Sequence, residues 1–410
     1  MGVPAVVLAE DAVERLPEYA DASALIVMDA NTREACGERA LRALPGAREY
    51  VFAQRDGLLA GIDEAAAVRS RAVAAGGRLV AVGSGVITDI VRHAAHALDR
   101  AFVSVPTAAS MDGYASGVAA MQIDGLKVTY PARAPIAILA DPRVVAAAPP
   151  ELTRAGLGDL LAKATARVDW LASHLLYGER FDPAVAERVL APLMFAASNA
   201  GRALRGDADT ISALLSGLVE SGITMALFGN SRPASGSEHH ASHFWDLLAA
   251  RGMRAHASHG LQVGYATRFA MRLQRFAFGG GVPGLRRPHA AEDPLGRAAR
   301  EWLGAPTDEL LAAVEEKQRF VAAVPGGWPH DAAAWAAVRS RLAGELERFG
   351  VVEAALDAAG IPSAPGYLEI DARTLRATFH YAGRLRARYT VIDFLENQGI
   401  LDEAVEVMLR

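Results

Sequence analysis

The sequence predicts an α/β amino-terminal domain built on a Rossmann-like parallel sheet, followed by an all-α carboxy-terminal domain. Three observations lead there. At 410 residues the chain exceeds what one ordinary core organises. Its first 148 residues alternate short apolar runs with helix-like segments, the pattern of a parallel sheet covered by helices. Past Pro149-Pro150 the strand signal fades and helical spacing takes over. The expected division is therefore 1–148 and 149–410.

In order along the chain, residues 24–29, 79–82, 102–105 and 136–140 read as buried strands. Helices are expected over 62–75 and 87–98. Beyond 150, the segments 151–176, 183–204, 207–227, 237–251, 258–276, 307–324, 331–347, 350–359, 371–386 and 390–408 carry Ala, Leu, Arg and Glu at helical spacing. Gly and Pro cluster in 278–297, which reads as a loop or insertion.

Composition narrows the function classes. The net charge is -5, and no basic block appears, which argues against a nucleic-acid or anionic-membrane partner. The single Cys36 has no internal disulfide partner and fits a reducing compartment. The amino terminus lacks the basic start and long apolar stretch of a signal peptide, and no run of about 18 uncharged apolar residues is present. A cytoplasmic protein is the expectation. Only Lys127, Lys163 and Lys317 are lysines, so 42 basic residues less three leaves 39 arginines. In a chain so biased, a retained lysine raises the question whether a compact ammonium is needed there.

Three motifs carry chemistry. Gly83-Ser84-Gly85 follows an apolar strand and precedes a helix, where glycines let a ligand approach the backbone and free amides suit a diphosphate. Asp29 ends an earlier strand, where a carboxylate can bind an adenosine ribose and disfavour a ribose phosphate, or can simply cap a turn or helix. The loop VPTAASMDGYA, residues 105–115, lies at a strand's carboxyl end, where ligands sit in open α/β sheets. Within it Asp112 is either a binder of a substrate hydroxyl or a turn aspartate.

The densest signal is histidine. Five of eleven, His239, His240, His243, His256 and His259, fall in one short stretch. His239 and His243 are one helical turn apart, and His259 opens the next helix. Two imidazoles and one carboxylate make a ligand set for a catalytic divalent ion with an open position. Asp159 is the candidate carboxylate, read as opening an apolar helix after Gly158, with Lys163 one turn later to pair with it or receive an anionic substrate.

Taken together, GSGVITDIVRHAAHALDRAFVSVPTAASMDG, LKVTYPARAPIAILAD, GLGDLLAKATARVDW, SGSEHHASHFWD, SHGLQVGYAT and RARYTVID resemble the glycerol-1-phosphate dehydrogenase family, from about residue 24 to 400. That family belongs to the group of iron-type alcohol dehydrogenases, glycerol dehydrogenase and dehydroquinate synthase. The resemblance implies a dehydroquinate synthase-like fold and a metal-dependent enzyme that interconverts dihydroxyacetone phosphate and sn-glycerol 1-phosphate with NAD or NADP. It places Asp159, His239 and His259 on the zinc- or nickel-binding positions, with iron a possible ion for the same donors. Gly83, Ser84 and Gly85 fall on the diphosphate loop, and Asp29 falls at the adenosine ribose, favouring NAD. Asp89, Thr107, Ser110 and Lys127 join the cofactor-binding set. Asp112, His243 and Lys163 are the expected catalytic side chains, and the chain is expected to form a homo-oligomer. The alternatives are a related polyol or sugar-phosphate dehydrogenase, or a cyclase of the dehydroquinate synthase type. Two departures stand out: Leu261 occupies a place where the family usually has Glu, and 278–297 fits poorly.

Overall fold

The apolar runs of the amino-terminal part pair side by side as a six-stranded parallel sheet. In the computed structural model, which describes residues 3–123, 126–280, 285–286, 295–305, 307–323, 328–329 and 331–410, contacts divide the chain into two compact units. One comprises Met1–Leu160 with Ala191–Gly229, the other Leu161–Leu190 with Asn230–Arg410.

The sheet of the first unit contains β1 (Ala5–Leu8), β2 (Leu25–Asp29), β3 (Arg48–Phe52), β4 (Leu79–Gly83), β5 (Phe102–Pro106) and β8 (Ala137–Ala140), in the order β1-β8-β5-β4-β2-β3. Every neighbouring pair is parallel. β4 and β5 are buried at every position, which explains why they read as unbroken apolar runs. Alternate residues serve opposite faces. Leu25, Val27, Leu79 and Ala81 pack with Val68 and Ile90, from helices α1 (Ile62–Ala75) and α2 (Gly85–Ala97). Ile26, Met28, Val80 and Val82 pack on the other side with Leu16, Cys36 and Leu44. The edge strands β1 and β3 are partly exposed; β3 mixes polar with apolar residues, while β1 is an apolar run of only four residues. β6 (Val118–Ile123) and β7 (Leu126–Pro131) form an antiparallel hairpin.

Two later helices complete this unit's contribution to the site. α3 (Pro150–Leu161) brings Gly156 so close to the loop after β5 that an added Cβ would lie 1.8 Å from the Ala109 carbonyl oxygen. α4 (Ala208–Phe228) places Gly222 where a Cβ would lie 2.8 Å from the Asp112 carbonyl oxygen. By length and composition α4 is apolar enough to cross a membrane, yet most of that window is buried, and it packs against residues 113–115. Its Asp209 and Glu220 kept it from reading as an uncharged run.

The second unit is helical among its described residues. α5 (Lys163–Tyr177), α6 (Ser237–Ala250) and α7 (His259–Phe278) surround a core that includes Trp170, Trp245, Tyr265 and Phe269. α6 and α7 pack directly on one another. Most of the expected insertion 278–297 lies outside the described residues. At Arg286 the backbone N–H donates to Gln398 Oε1 at 2.7 Å, and the carbonyl accepts from Gln398 Nε2 at 3.0 Å.

Candidate functional site

In the first unit, β4 delivers the chain to Gly83, and α2 begins two residues later. A Cβ on Gly83 would lie 2.6 Å from Ile87 Cβ, so the turn demands glycine there, while one on Gly85 would lie 2.7 Å from Sδ of the flexible Met111 side chain. The Thr107 amide donates to the Gly83 carbonyl at 3.2 Å and ties the loop after β5 to this turn. Thr88 Oγ1, in the first turn of α2, is buried with no hydrogen-bond partner among the described residues. Glycines, a helix start and an unspent hydroxyl fit the diphosphate of a dinucleotide.

Asp29 ends β2, and its Oδ1 accepts the Thr32 amide at 2.8 Å, while its own amide donates to Thr32 Oγ1 at 3.0 Å. The capping role left open by the sequence is thus present. Asp89 is buried in an ion pair, 2.5 Å from Arg92 Nη1. Arg92 in turn donates to the carbonyls of Gly113, Tyr114 and Val118 at 2.5, 3.0 and 3.1 Å, so the pair holds the loop beyond β5. Burial pushes the Arg92 guanidinium below its ordinary value, and the Asp89 charge opposes that. Thr107 is buried, and Ser110 stands partly exposed in the same loop, where the Tyr114 hydroxyl donates to the Ala108 carbonyl at 2.6 Å. Lys127 lies on β7, and its side chain falls outside what the structure describes.

Asp112 and Asp159 are joined through the same loop. The Asp112 amide donates to Asp159 Oδ2 at 3.0 Å, and Ser221 Oγ donates to Asp112 Oδ2 at 3.0 Å. Asp159 is fully buried. It stands in the last turn of α3 rather than opening a helix, because that helix starts at Pro150, a residue suited to a first helical position. Lys163 is buried at the start of the next helix, after a turn at Ala162.

In the second unit, His239 and His243 share a face of α6, and His259 is the first residue of α7. The His259 ring centre lies 5.4 Å from that of His239 and 5.9 Å from that of His243. Each ligand candidate has an oriented ring. His239 Nδ1 lies 2.8 Å from Glu238 Oε1, and His259 Nδ1 lies 3.1 Å from Ser242 Oγ. Glu238 is fully buried and also accepts from Thr165 Oγ1 at 2.8 Å and the Gly236 amide at 2.6 Å. Burial alone would raise its carboxyl, but the hydrogen bond from His239 and the backbone donors hold it below its ordinary value. An ionised Glu238 only accepts, so the His239 proton sits on Nδ1 and Nε2 keeps its lone pair for a ligand.

One ligand atom each from Asp159, His239 and His259 lie within 4.8 Å of one another. That spacing and donor set fit a divalent ion. His256 is exposed in the turn before α7 and takes no part, while His240 is buried beside His239. Sequence reasoning passed over Glu238, Thr165 and Ser242. The signal for Glu238 was its place directly before the first histidine, and it supplies a buried carboxylate that Leu261 does not.

The profile of the iron-containing alcohol dehydrogenase family matches residues 7–149. The glycerol-1-phosphate dehydrogenase [NAD(P)+] of Halalkalibacterium halodurans is 35% identical over 278 residues, covering 65% of this chain and 70% of that one. The protein of the same name from Methanoculleus marisnigri is 33% identical over 326 residues, covering 77% and 84%. A probable glycerol dehydrogenase from Sinorhizobium meliloti has the same fold, with TM-score 0.63 at 18% identity over 100% of this chain and 97% of its own.

Proposed function

Since the chain belongs to the glycerol-1-phosphate dehydrogenase family, we propose that it interconverts dihydroxyacetone phosphate and sn-glycerol 1-phosphate using NAD or NADP. The observation that carries this reading is the convergence of Asp159, His239 and His259 on a volume fit for one ion. Residues 1–148 serve as the cofactor-binding domain and 149–410 as the metal-binding catalytic domain.

Asp159, His239 and His259 would hold the ion, zinc or nickel first and iron as the further match to the donors. Gly83, Ser84, Gly85, Thr107, Ser110 and Lys127 would hold the dinucleotide's diphosphate and nicotinamide ribose, and Asp29 its adenosine ribose. When bound, the ion supplies Lewis-acid polarisation of a carbonyl and the nicotinamide supplies the hydride. Asp112, fixed by Ser221, orients a substrate hydroxyl. His243 relays a proton between water and the product oxygen. Lys163 adds positive charge for an anionic substrate. Asp89 acts at one remove, by fixing Arg92 and the loop that carries Asp112. The enzyme works as a cytoplasmic homo-oligomer, which sedimentation of the purified protein checks.

The test follows nicotinamide absorbance with dihydroxyacetone phosphate after loading the protein with zinc, nickel and iron in turn. Net, metal-dependent oxidation of NADH, giving a product that sn-glycerol-3-phosphate dehydrogenases do not oxidise, is expected. Substrate consumed without net nicotinamide turnover would indicate a cyclase instead, and no turnover with any metal would overturn the reading.

A further inference from the structure

His259 reaches the ring of His239 by way of residues 251–258, which join the end of α6 to the start of α7. Within that connection only Arg254 and Ala257 are half-buried and the rest is exposed, so apolar packing does not fix it. Polar side chains do. Gln262, one turn beyond His259 on α7, is fully buried and uses both amide hydrogens and its oxygen. Its Oε1 accepts from Arg254 Nη1 at 2.9 Å, and its Nε2 donates to Asp246 Oδ1 on α6 at 2.8 Å and to the Ala257 carbonyl at 3.1 Å. Arg254 Nη2 donates to the Leu368 carbonyl at 2.9 Å, and the Ala255 amide reaches Glu369 Oε2 at 3.5 Å. One guanidinium thus ties the start of α7 to a turn more than a hundred residues further along the chain.

That turn is strained. Leu368 and Glu369 have φ of 55° and 60°, in the left-handed region that disfavours a side chain. Two successive non-glycine residues there persist only where surrounding contacts impose them. The contacts are present. The Gly366 amide donates to the Ile370 carbonyl at 2.8 Å, and Tyr265 Oη on α7 donates to the Ala364 carbonyl at 2.8 Å. The Tyr367 ring packs edge-on against Tyr265, with centres 5.3 Å apart, so the turn is anchored to the helix that His259 opens. Nor is the polar group arranged for stability alone. Asp246 Oδ2 and Arg254 Nε are buried with no hydrogen-bond partner among the described residues. A connection that had only to close would need neither strained backbone nor unmade hydrogen bonds. One that must hold an imidazole within about 0.5 Å of its working position has a reason for both.

We propose that Arg254 and Gln262 are positioning residues for His259, bracing it for the ion against the strained turn at Leu368-Glu369. Ser242 orients the His259 ring through Nδ1, and the brace places the backbone from which that ring projects. Contacts of this kind behind a ligand govern metal affinity as the ligands themselves do. This rests on the reading of His259 as a metal ligand and on nothing about the substrate.

The experiment reads cobalt(II) binding to the full chain in two ways. Chelator competition gives the affinity, and the visible absorption of the bound ion reports the geometry of its ligands. Arg254→Met should weaken binding about tenfold or more and shift the absorption. Arg254→Lys keeps the charge and a donor, so it should recover part of both, and Gln262→Met should behave like Arg254→Met. Arg268→Met is the control. Arg268 is also buried on α7 and donates to the Ile361 carbonyl at 3.1 Å, away from the connection, so its loss should lower stability and leave cobalt binding unchanged. Melting of the metal-free proteins shows which variants fold, and where Arg254→Met does not, Arg254→Lys and Gln262→Met carry the test. A wild type that binds no cobalt would end the metal reading and the brace with it. Wild-type binding with unchanged affinity and absorption in the folded Arg254 and Gln262 variants, or an equal loss in Arg268→Met, would overturn the brace alone.

Discussion

Glu238 Oε1 lies 2.8 Å from Nδ1 of His239, and the carboxylate that makes this contact is completely buried. The pair fixes the tautomer and the ring plane of one proposed ligand. Glu238→Gln keeps the volume but removes the charge, so it should weaken metal binding about 10- to 100-fold. Competition against a chelator of known affinity measures this. Wild-type affinity in the variant would remove Glu238 from the account.

Gly156 tests how the loop bearing Asp112 is held. A methyl there meets the Ala109 carbonyl at 1.8 Å and has no rotamer by which to escape. Gly156→Ala should destabilise by about 1–3 kcal/mol and lower activity by moving the loop. Gly344, where an added Cβ meets nothing within 4 Å, gives the control: Gly344→Ala should be neutral or stabilising by up to about 1 kcal/mol. Denaturant unfolding of both variants decides, and equal effects would contradict the packing described.

Asp169 gives a pH signature. Burial, helped by the nearby Glu238 charge, pushes its carboxyl up to about 6, against the donor bonds it accepts from Ser237 and Val391. Between the unfolded value near 4 and the folded value near 6, the folded state binds more protons. Stability from this group is therefore present at low pH and falls as pH rises through that window, by on the order of 3 kcal/mol. Asp169→Asn should flatten that slope in urea unfolding of metal-free protein at pH 4, 5, 6 and 7. Parallel curves for the two proteins would remove the effect.

Asp29 caps a turn and is also the proposed ribose contact. Serine caps nearly as well, so Asp29→Ser separates the roles. It should reduce the preference for NADH over NADPH at least tenfold with little change in melting temperature. An unchanged preference would leave Asp29 as a cap alone.

The central strands were legible because burial on both faces leaves continuous apolar runs, as in β4 and β5. β3 was not, since Arg48 and Glu49 break the run on an exposed edge. The histidines of α6 and α7 were visible through number and spacing, and Asp159 through its setting. Its helix position was misread because Gly158 suggests a start, whereas Pro150 sets the actual one. Glu238 was hidden for another reason. Its role depends on which groups lie beside it in the folded unit, and spacing along a chain carries no record of that.

The most direct test of the shared ion is the metal content of dialysed protein, measured by inductively coupled plasma mass spectrometry on wild type, Asp159→Ala, His239→Ala and His259→Ala. One ion per chain in wild type and none in any folded variant is the predicted result. Variants that retain a full equivalent of metal would contradict it.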